Sequence, residues 1–268
     1  MSNQLGIAVF GITGRMGKAL IAAIDESADT VLVGACASPN SQAIGRSLRE
    51  LGARSDTKIS PDARGASSNA AAAIDFSLPE ATQRNLEACV ALKRPLVIGT
   101  TGHSPAIRSE IERAANIIPI VMAPNMSLGV NLLLRLVELA AKTLDEGYDI
   151  EVFEAHHRNK KDAPSGTALA LGAAAARGRG VSLEHSAEHD RHGSDQPRRK
   201  GAIGFSVFRG GDVVGDHTVT FAGIGERIEL THRASDRLAF ARGAVQAARW
   251  LIGKPPGLYS MQDVLGLT

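Results

Sequence analysis

Leu5-Gly-Ile-Ala-Val-Phe10-Gly11-Ile12-Thr13-Gly14-Arg15-Met16-Gly17 is a short apolar run that enters a glycine-rich turn. Directly after it, Lys18 to Ile24 carries Leu20, Ile21 and Ile24 at helical spacing. Strand, glycine turn, helix is the order that grips a dinucleotide. One glycine turns the chain tightly, another lets the backbone approach a pyrophosphate, and the third lets helix meet sheet. The spacing is G-x-x-G-x-x-G rather than the commoner G-x-G-x-x-G, so a purely structural strand-to-helix turn is the competing reading. A P-loop is set aside: it needs glycine where Ile12 stands and Ser or Thr where Ala19 follows Lys18.

Outward from this turn, Thr30 to Cys36 reads as a second strand, and Ala71 to Phe76, Pro95 to Gly99 and Ile117 to Met122 as further ones, with helical segments between some of them. That alternation predicts an α/β fold with a Rossmann-type, doubly wound parallel sheet whose ligand lies at the strands' carboxyl ends. Gly99-Thr100-Thr101-Gly102 and Ala123-Pro124-Asn125-Met126-Ser127 are turns after apolar strands and should lie on that same edge. From Leu128 the pattern changes to a long amphipathic helix through Leu144, a strand from Asp149 to Ala155, and an alanine-rich helix to Arg177. Ala202 to Phe208, Val213 to Ala222 and Arg227 to His232 then alternate as β-strands. These, with the Asp149 strand, predict a second α+β domain built on an open mixed sheet. Arg237 to Ile252 is helical and is expected to return to the first domain. The expected division is 1–127 with 237–268 for the dinucleotide, and 128–236 for substrate and oligomerisation.

Composition excludes several classes. Net charge is +2 with 22% charged residues, so no basic field points to nucleic acid or to a membrane surface. No apolar run reaches spanning length, and Met-Ser-Asn-Gln is not a charged leader start, which predicts a cytoplasmic protein. Cys36 and Cys89 lie far apart without metal-ligand spacing and read as buried, reduced thiols. His185 to Lys200 is polar and aperiodic and reads as a mobile loop. Its His185, His189 and His192 could suggest a metal, but the helix-breaking Gly193 and Pro197 argue against one, and no metal is expected.

The chemistry concentrates in Glu154-Ala-His156-His157-Arg158-Asn-Lys160-Lys161-Asp-Ala-Pro-Ser165-Gly166-Thr167. His156, His157, Arg158, Lys160 and Lys161 are potential cations. Behind them Ser165 is the expected N-cap of a helix, and the N–H groups of Gly166 and Thr167 point out of its positive end. The stretch is suited to hold a carboxylate or phosphate, with a solvated basic turn as the bland alternative. Histidine titrates near neutrality and lysine can be tuned for proton transfer, so both also qualify as acid or base.

Taken together, Gly11 to Gly17, Ile74-Asp-Phe76, Ile98-Gly-Thr-Thr-Gly102, Asn125 with Ser127-Leu-Gly-Val-Asn131, Glu154-Ala-His-His-Arg158, Lys160, Asp162 to Ala168, Ile224-Gly-Glu-Arg227 and the closing Gly257 to Leu265 resemble the dihydrodipicolinate reductase family over almost the whole chain. The resemblance implies hydride transfer from NADPH or NADH to a cyclic imine bearing two carboxylates, with loss of water from a hydroxylated precursor. It implies cofactor contacts from Gly11, Ile12, Thr13, Gly14, Arg15, Met16, Gly17, Gly99, Thr100, Thr101, Ala123, Pro124, Asn125 and Met126. His156 and Lys160 become the acid/base pair, and His157, Gly166 and Thr167 hold the small dicarboxylate substrate. A homotetramer assembled through the second sheet is also implied.

One departure bears on the cofactor. Many relatives have an acidic residue followed by arginine after the second strand, where this chain has Ser38 and Pro39. The loop Ala37 to Ser41 is neutral, so nothing there repels the 2′-phosphate of NADP, and Arg15 could lie near it; alternatively the loop ignores the adenosine altogether. Two other classes compete with the reductase. An aspartate-semialdehyde type of dehydrogenase needs a cysteine nucleophile, and neither cysteine sits in a site-like motif. A non-catalytic dinucleotide sensor has no use for the His-His-Arg-x-Lys stretch.

Overall fold

Short buried strands alternating with helices build a layered parallel sheet, and the first half of the chain supplies five such strands. In the computed structural model, which describes residues 4–267, these strands are β1 (Leu5–Phe10), β2 (Thr30–Cys36), β3 (Ala72–Asp75), β4 (Leu96–Ile98) and β5 (Pro119–Met122). They pair in parallel in the order β2-β1-β3-β4-β5. The connecting helices are α1 (Arg15–Glu26), α2 (Ala63–Ser67), α3 (Pro79–Ala91) and α4 (Pro105–Ala115). Their starts follow from sequence. Pro79 and Pro105 occupy first-turn positions, and Ser104 caps α4 by accepting from the Ile107 N–H. Because β1 has β2 on one side and β3 on the other, the strand order reverses at β1/β3, which opens a crevice at their carboxyl ends.

The next segment, α5 (Leu128–Thr143), leads into β6 (Asp149–His156), α6 (Gly166–Arg179), α7 (Leu183–Ser186), β7 (Ala187–Glu188), β8 (Ile203–Arg209), β9 (Gly215–Ala222) and β10 (Arg227–Ala234). Their mixed sheet runs β10-β9-β6-β8-β7. The first two neighbours are antiparallel and the last two parallel. On β6 and β9 the even residues Ile150, Val152, Glu154 and His156 lie on the same face as Phe221, Val219 and His217, against the α5 and α6 side.

Two expectations are corrected here. His156 belongs to β6 rather than to the loop after it. The stretch from His185 to Lys200, read as a mobile loop, is tied down instead. Within it β7 pairs with β8, His189 stacks on Phe205, and Arg198 bonds Asp149, Glu151 and the backbone carbonyls of Ile150, Arg199 and Ala202. The bonds from Arg198 to β6 reach 47 to 49 residues back along the chain, which local periodicity does not register.

The chain then returns to the first sheet. Helix α8 (Leu238–Leu251) buries Ala241, Ala244, Val245, Ala248 and Leu251, one face at helical spacing, in the same apolar cluster as α1 residues Leu20 and Ile24. Strand β11 (Gly257–Tyr259) adds in parallel to β5 as the sixth strand, and α9 (Met261–Leu265) is closed by a Ser260/Asp263 capping box. Two compact units result: the chain through Leu128 joined by the part from Arg237 onward, and Gly129–Asp236. Cys36 and Cys89 are buried free thiols, and burial pushes both above the ordinary thiol range.

Candidate active site

In the first unit the glycine turn sits at the β1/β3 crevice. Gly11 has φ +79°, and a Cβ there would meet the Phe76 carbonyl oxygen at 2.4 Å, so both its conformation and its surroundings require glycine. Gly17 is needed for approach rather than torsion, since a Cβ would lie 2.1 Å from the Ile12 carbonyl oxygen. The turn is anchored to β2 by the Gly11 and Ile12 N–H groups, both donating to the Cys36 carbonyl. No side chain caps α1 at Gly14, and its first turn holds no acidic residue. Its N-terminal N–H groups therefore offer a positive end to an anion. The crevice is a cleft of about 490 Å³ lined by Gly11, Thr13, Gly14, Ala37, Ser38, Phe76, Glu80 and Arg84 among others.

A buried carboxylate underlies the neighbouring turns. Asp75 is fully buried and accepts from the Ser77 N–H, from Asn85 Nδ2 and from Thr100 Oγ1. Burial raises its pKa while these donors oppose the rise. The network fixes Thr100 beside the carboxyl end of β3, and the Gly99 N–H donates to the Asp75 carbonyl. Beyond it, the Ala123 N–H donates to the Ile98 carbonyl, and Asn125 Oδ1 accepts from the Ser127 N–H. Ala123 and Met126 are buried.

In the second unit, strand periodicity brings Glu154 and His156 to one face of β6, and register sets Arg209 of β8 and His217 of β9 on that same face. Glu154 is 1% exposed and accepts four hydrogen bonds. Oε1 receives the Ser165 N–H at 2.9 Å and Arg209 Nη2 at 2.7 Å; Oε2 receives Arg209 Nη1 at 2.8 Å and lies 2.5 Å from His156 Nδ1. Ser165 Oγ caps α6 by accepting from the Ala168 N–H and lies 3.1 Å from His217 Nε2. The rings of His156 and His217 meet edge to face at 5.1 Å. The loop is pinned from both sides, as the Gly210 N–H donates to the His156 carbonyl and the Arg158 N–H to the Gly211 carbonyl. Lys160 Nζ pairs with Asp162, and the buried Nδ1 of His157 has no partner among the described residues.

The electrostatics follow from burial and these pairs. Burial alone would raise Glu154, but the Arg209, His156 and Ser165 donors outweigh it and hold the carboxyl below its usual range. Burial lowers His156, with Glu154 opposing. His217, buried beside His156, is pushed down to about 4. His217 is therefore neutral near pH 7.

Gly11, Thr13, Gly14 and Ser38 thus line one cleft, with Gly99, Thr100, Thr101 and Ala123 to Met126 further along the same carboxyl edge. Arg15 stands in the first turn of α1 outside the cleft lining, and Ile12 is wholly buried in the core. His156, His157, Lys160, Gly166 and Thr167 gather at the end of β6 and the start of α6. Sequence reasoning missed Arg84, Arg209 and His217. The inward position of His217 in the alternating row Gly215, His217, Val219, Phe221 was the one signal that could have found it.

A glycine turn at the switch point of a doubly wound sheet, joined in one chain to a strand end rich in histidine and lysine, defines a nucleotide-dependent oxidoreductase. The model of "Dihydrodipicolinate reductase, N-terminus" matches residues 5–126, and that of "Dihydrodipicolinate reductase, C-terminus" matches residues 129–265. The 4-hydroxy-tetrahydrodipicolinate reductase of Thiobacillus denitrificans is 50% identical over 97% of this chain and 98% of its own length. That of Aromatoleum aromaticum is 51% identical over 98% and 96%. A dipicolinate-bound dihydrodipicolinate reductase from Paenisporosarcina shares the fold, with a TM-score of 0.77 over 97% of this chain and 99% of its own at 22% identity. The chain belongs to the dihydrodipicolinate reductase family and is an NAD(P)H-dependent oxidoreductase.

Proposed function

We propose that the protein reduces the cyclic imine derived from 4-hydroxy-tetrahydrodipicolinate to tetrahydrodipicolinate, with loss of water, as a cytoplasmic enzyme of lysine and diaminopimelate biosynthesis. The observation that carries this reading is the strand-end cluster of the second unit. It offers His156, His157 and Lys160 together with the capped start of α6 at Ser165, Gly166 and Thr167. A dianionic substrate needs several donors, and bonds from an ammonium and from a helix N-terminus are the strong, charge-assisted kind. His157, Gly166 and Thr167 bind the two carboxylates; His156 and Lys160 handle the proton that balances hydride arrival.

Gly11 to Gly17, Ser38, Gly99 to Thr101 and Ala123 to Met126 hold the cofactor. When bound, the reduced nicotinamide supplies the hydride. The turn fits a pyrophosphate because no side chain caps the start of α1 at Gly14 and its glycines leave the backbone bare. NADPH is the favoured form: Ser38 is neutral, and Arg84, on the facing helix, lines the same cleft, although Glu80 one turn away tempers its charge. The open face of the second sheet carries exposed Phe153 and Phe208 and is suited to homotetramer assembly. Initial rates with NADH and with NADPH, on enzymatically generated substrate, test the reading. No oxidation of either cofactor would overturn it.

A further inference from the structure

Glu154 lies within the cationic stretch, yet nothing so far gives it a part in the reaction. Its four acceptor directions are all filled: two by Arg209, one by the Ser165 N–H and one by His156 Nδ1. An ionised carboxylate can only accept, so the nitrogen 2.5 Å from Oε2 must carry the proton. In neutral His156 this leaves Nε2 as the bare nitrogen. Nε2 has its space because β9 offers glycine at that point, since a Cβ on Gly215 would stand 3.0 Å from it.

We propose that Glu154, locked in place by Arg209, is a positioning residue that fixes the tautomer and the proton affinity of His156, so that Nε2 is the atom exchanging a proton with substrate. This rests on the functional reading above. A plain buried ion pair between Glu154 and Arg209 needs no histidine at Oε2, and Arg209 could then stand in any rotamer that reaches the carboxylate. Instead its guanidinium is also held by the Phe208 and Asp162 carbonyls, each at 2.7 Å, which fixes the fork and so the direction of Oε2. The charged and titratable groups around His156 are Glu154 on its own strand, Arg209 on β8, His217 on β9 with His232 of β10 beyond it, and Lys160 with Asp162 in the loop. Among the described residues, Glu154 is the one side chain hydrogen-bonded to a ring nitrogen of His156.

Two readouts test this. Long-range proton–nitrogen NMR on the wild-type protein, with the His156 signals assigned by their loss in His156→Asn, should show Nδ1 protonated in the neutral ring; an Nε2–H tautomer would overturn the proposal before any variant is made. In the pH profile of kcat, Glu154→Gln should move the limb belonging to His156 toward lower pH, because the carboxylate favours the imidazolium. Arg209→Gln should move it toward higher pH by removing a nearby positive charge. At neutral pH, Glu154→Gln should lose about 10²-fold in kcat, at the lower end of what a positioned acid or base contributes, with the KM for cofactor unchanged. A folded Glu154→Gln protein with the wild-type limb would refute it, since a purely structural carboxylate changes stability and not the profile. If either variant fails to fold, the wild-type tautomer and the remaining variant still decide. Absence of turnover by the wild type would instead overturn the functional reading, independently of the NMR result.

Discussion

Lys160 Nζ donates to both carboxylate oxygens of Asp162, two residues on, at 2.9 Å each. The ammonium is thus already oriented by a carboxylate before any substrate arrives, on a side chain 21% exposed. A preset donor of this kind favours transition-state positioning over bulk stability. Lys160→Ala should therefore lower kcat by about 10²-fold or more while leaving the melting temperature near wild type. Turnover within a factor of a few of wild type, measured alongside thermal unfolding, would remove Lys160 from the chemistry.

The cleft at the end of β2 makes a cofactor prediction. Ser38→Glu should shift preference toward NADH by repelling a 2′-phosphate. Arg84→Gln should weaken NADPH by about tenfold or more, the loss of one charge-assisted bond, and leave NADH little changed. Titration calorimetry with both cofactors checks this. Unchanged affinity ratios in both variants would show that the adenosine does not reach these residues.

The anion site in the second unit should distinguish one carboxylate from two. Pyridine-2,6-dicarboxylate, a flat and stable mimic, should compete with substrate. Pyridine-2-carboxylate should inhibit roughly tenfold to hundredfold less well, because one missing carboxylate strands a donor worth about 1.5–3 kcal/mol. Equal inhibition constants would contradict the dianion reading.

His217 gives a stability prediction with a definite sign. Its folded pKa of about 4 lies below the ordinary histidine value of 6.5, so the unfolded chain binds the proton more readily between those two values. Stability from this residue is present above pH 6.5 and is lost as pH falls toward 4, by on the order of 3 kcal/mol in all. His217→Asn should flatten that part of the curve of unfolding free energy against pH. A wild-type slope retained in the variant would assign the effect to another group.

How much of this was legible in the sequence depended on range. β1 and β2 run between the residues that periodicity marked, and Ser165 caps α6 as its type and position required, because strands, turns and caps are written in adjacent residues. The family resemblance carried the rest of the site. Arg84 was invisible since it sits on an ordinary helix face and acquires meaning only from the loop it faces. Arg209 lies 55 residues from Glu154, and no motif links them; a sheet register does. The three-residue β11 was missed for a similar reason, being too short for alternation and defined by its partner β5. Where a boundary moved, as at His156, the cause was hydrogen bonding to a neighbouring strand rather than a change in local preference.

The late return of the chain to the first sheet has a consequence during synthesis. When Leu128 leaves the ribosome, β5 still has an unpaired edge and the apolar face awaiting α8 is uncovered, because both partners lie beyond Arg237. The unit Gly129–Asp236 is continuous and can close as soon as its own last strand emerges. The unit begun first is therefore finished last, and for the time it takes to translate more than a hundred residues the nascent protein exposes a template for strand addition.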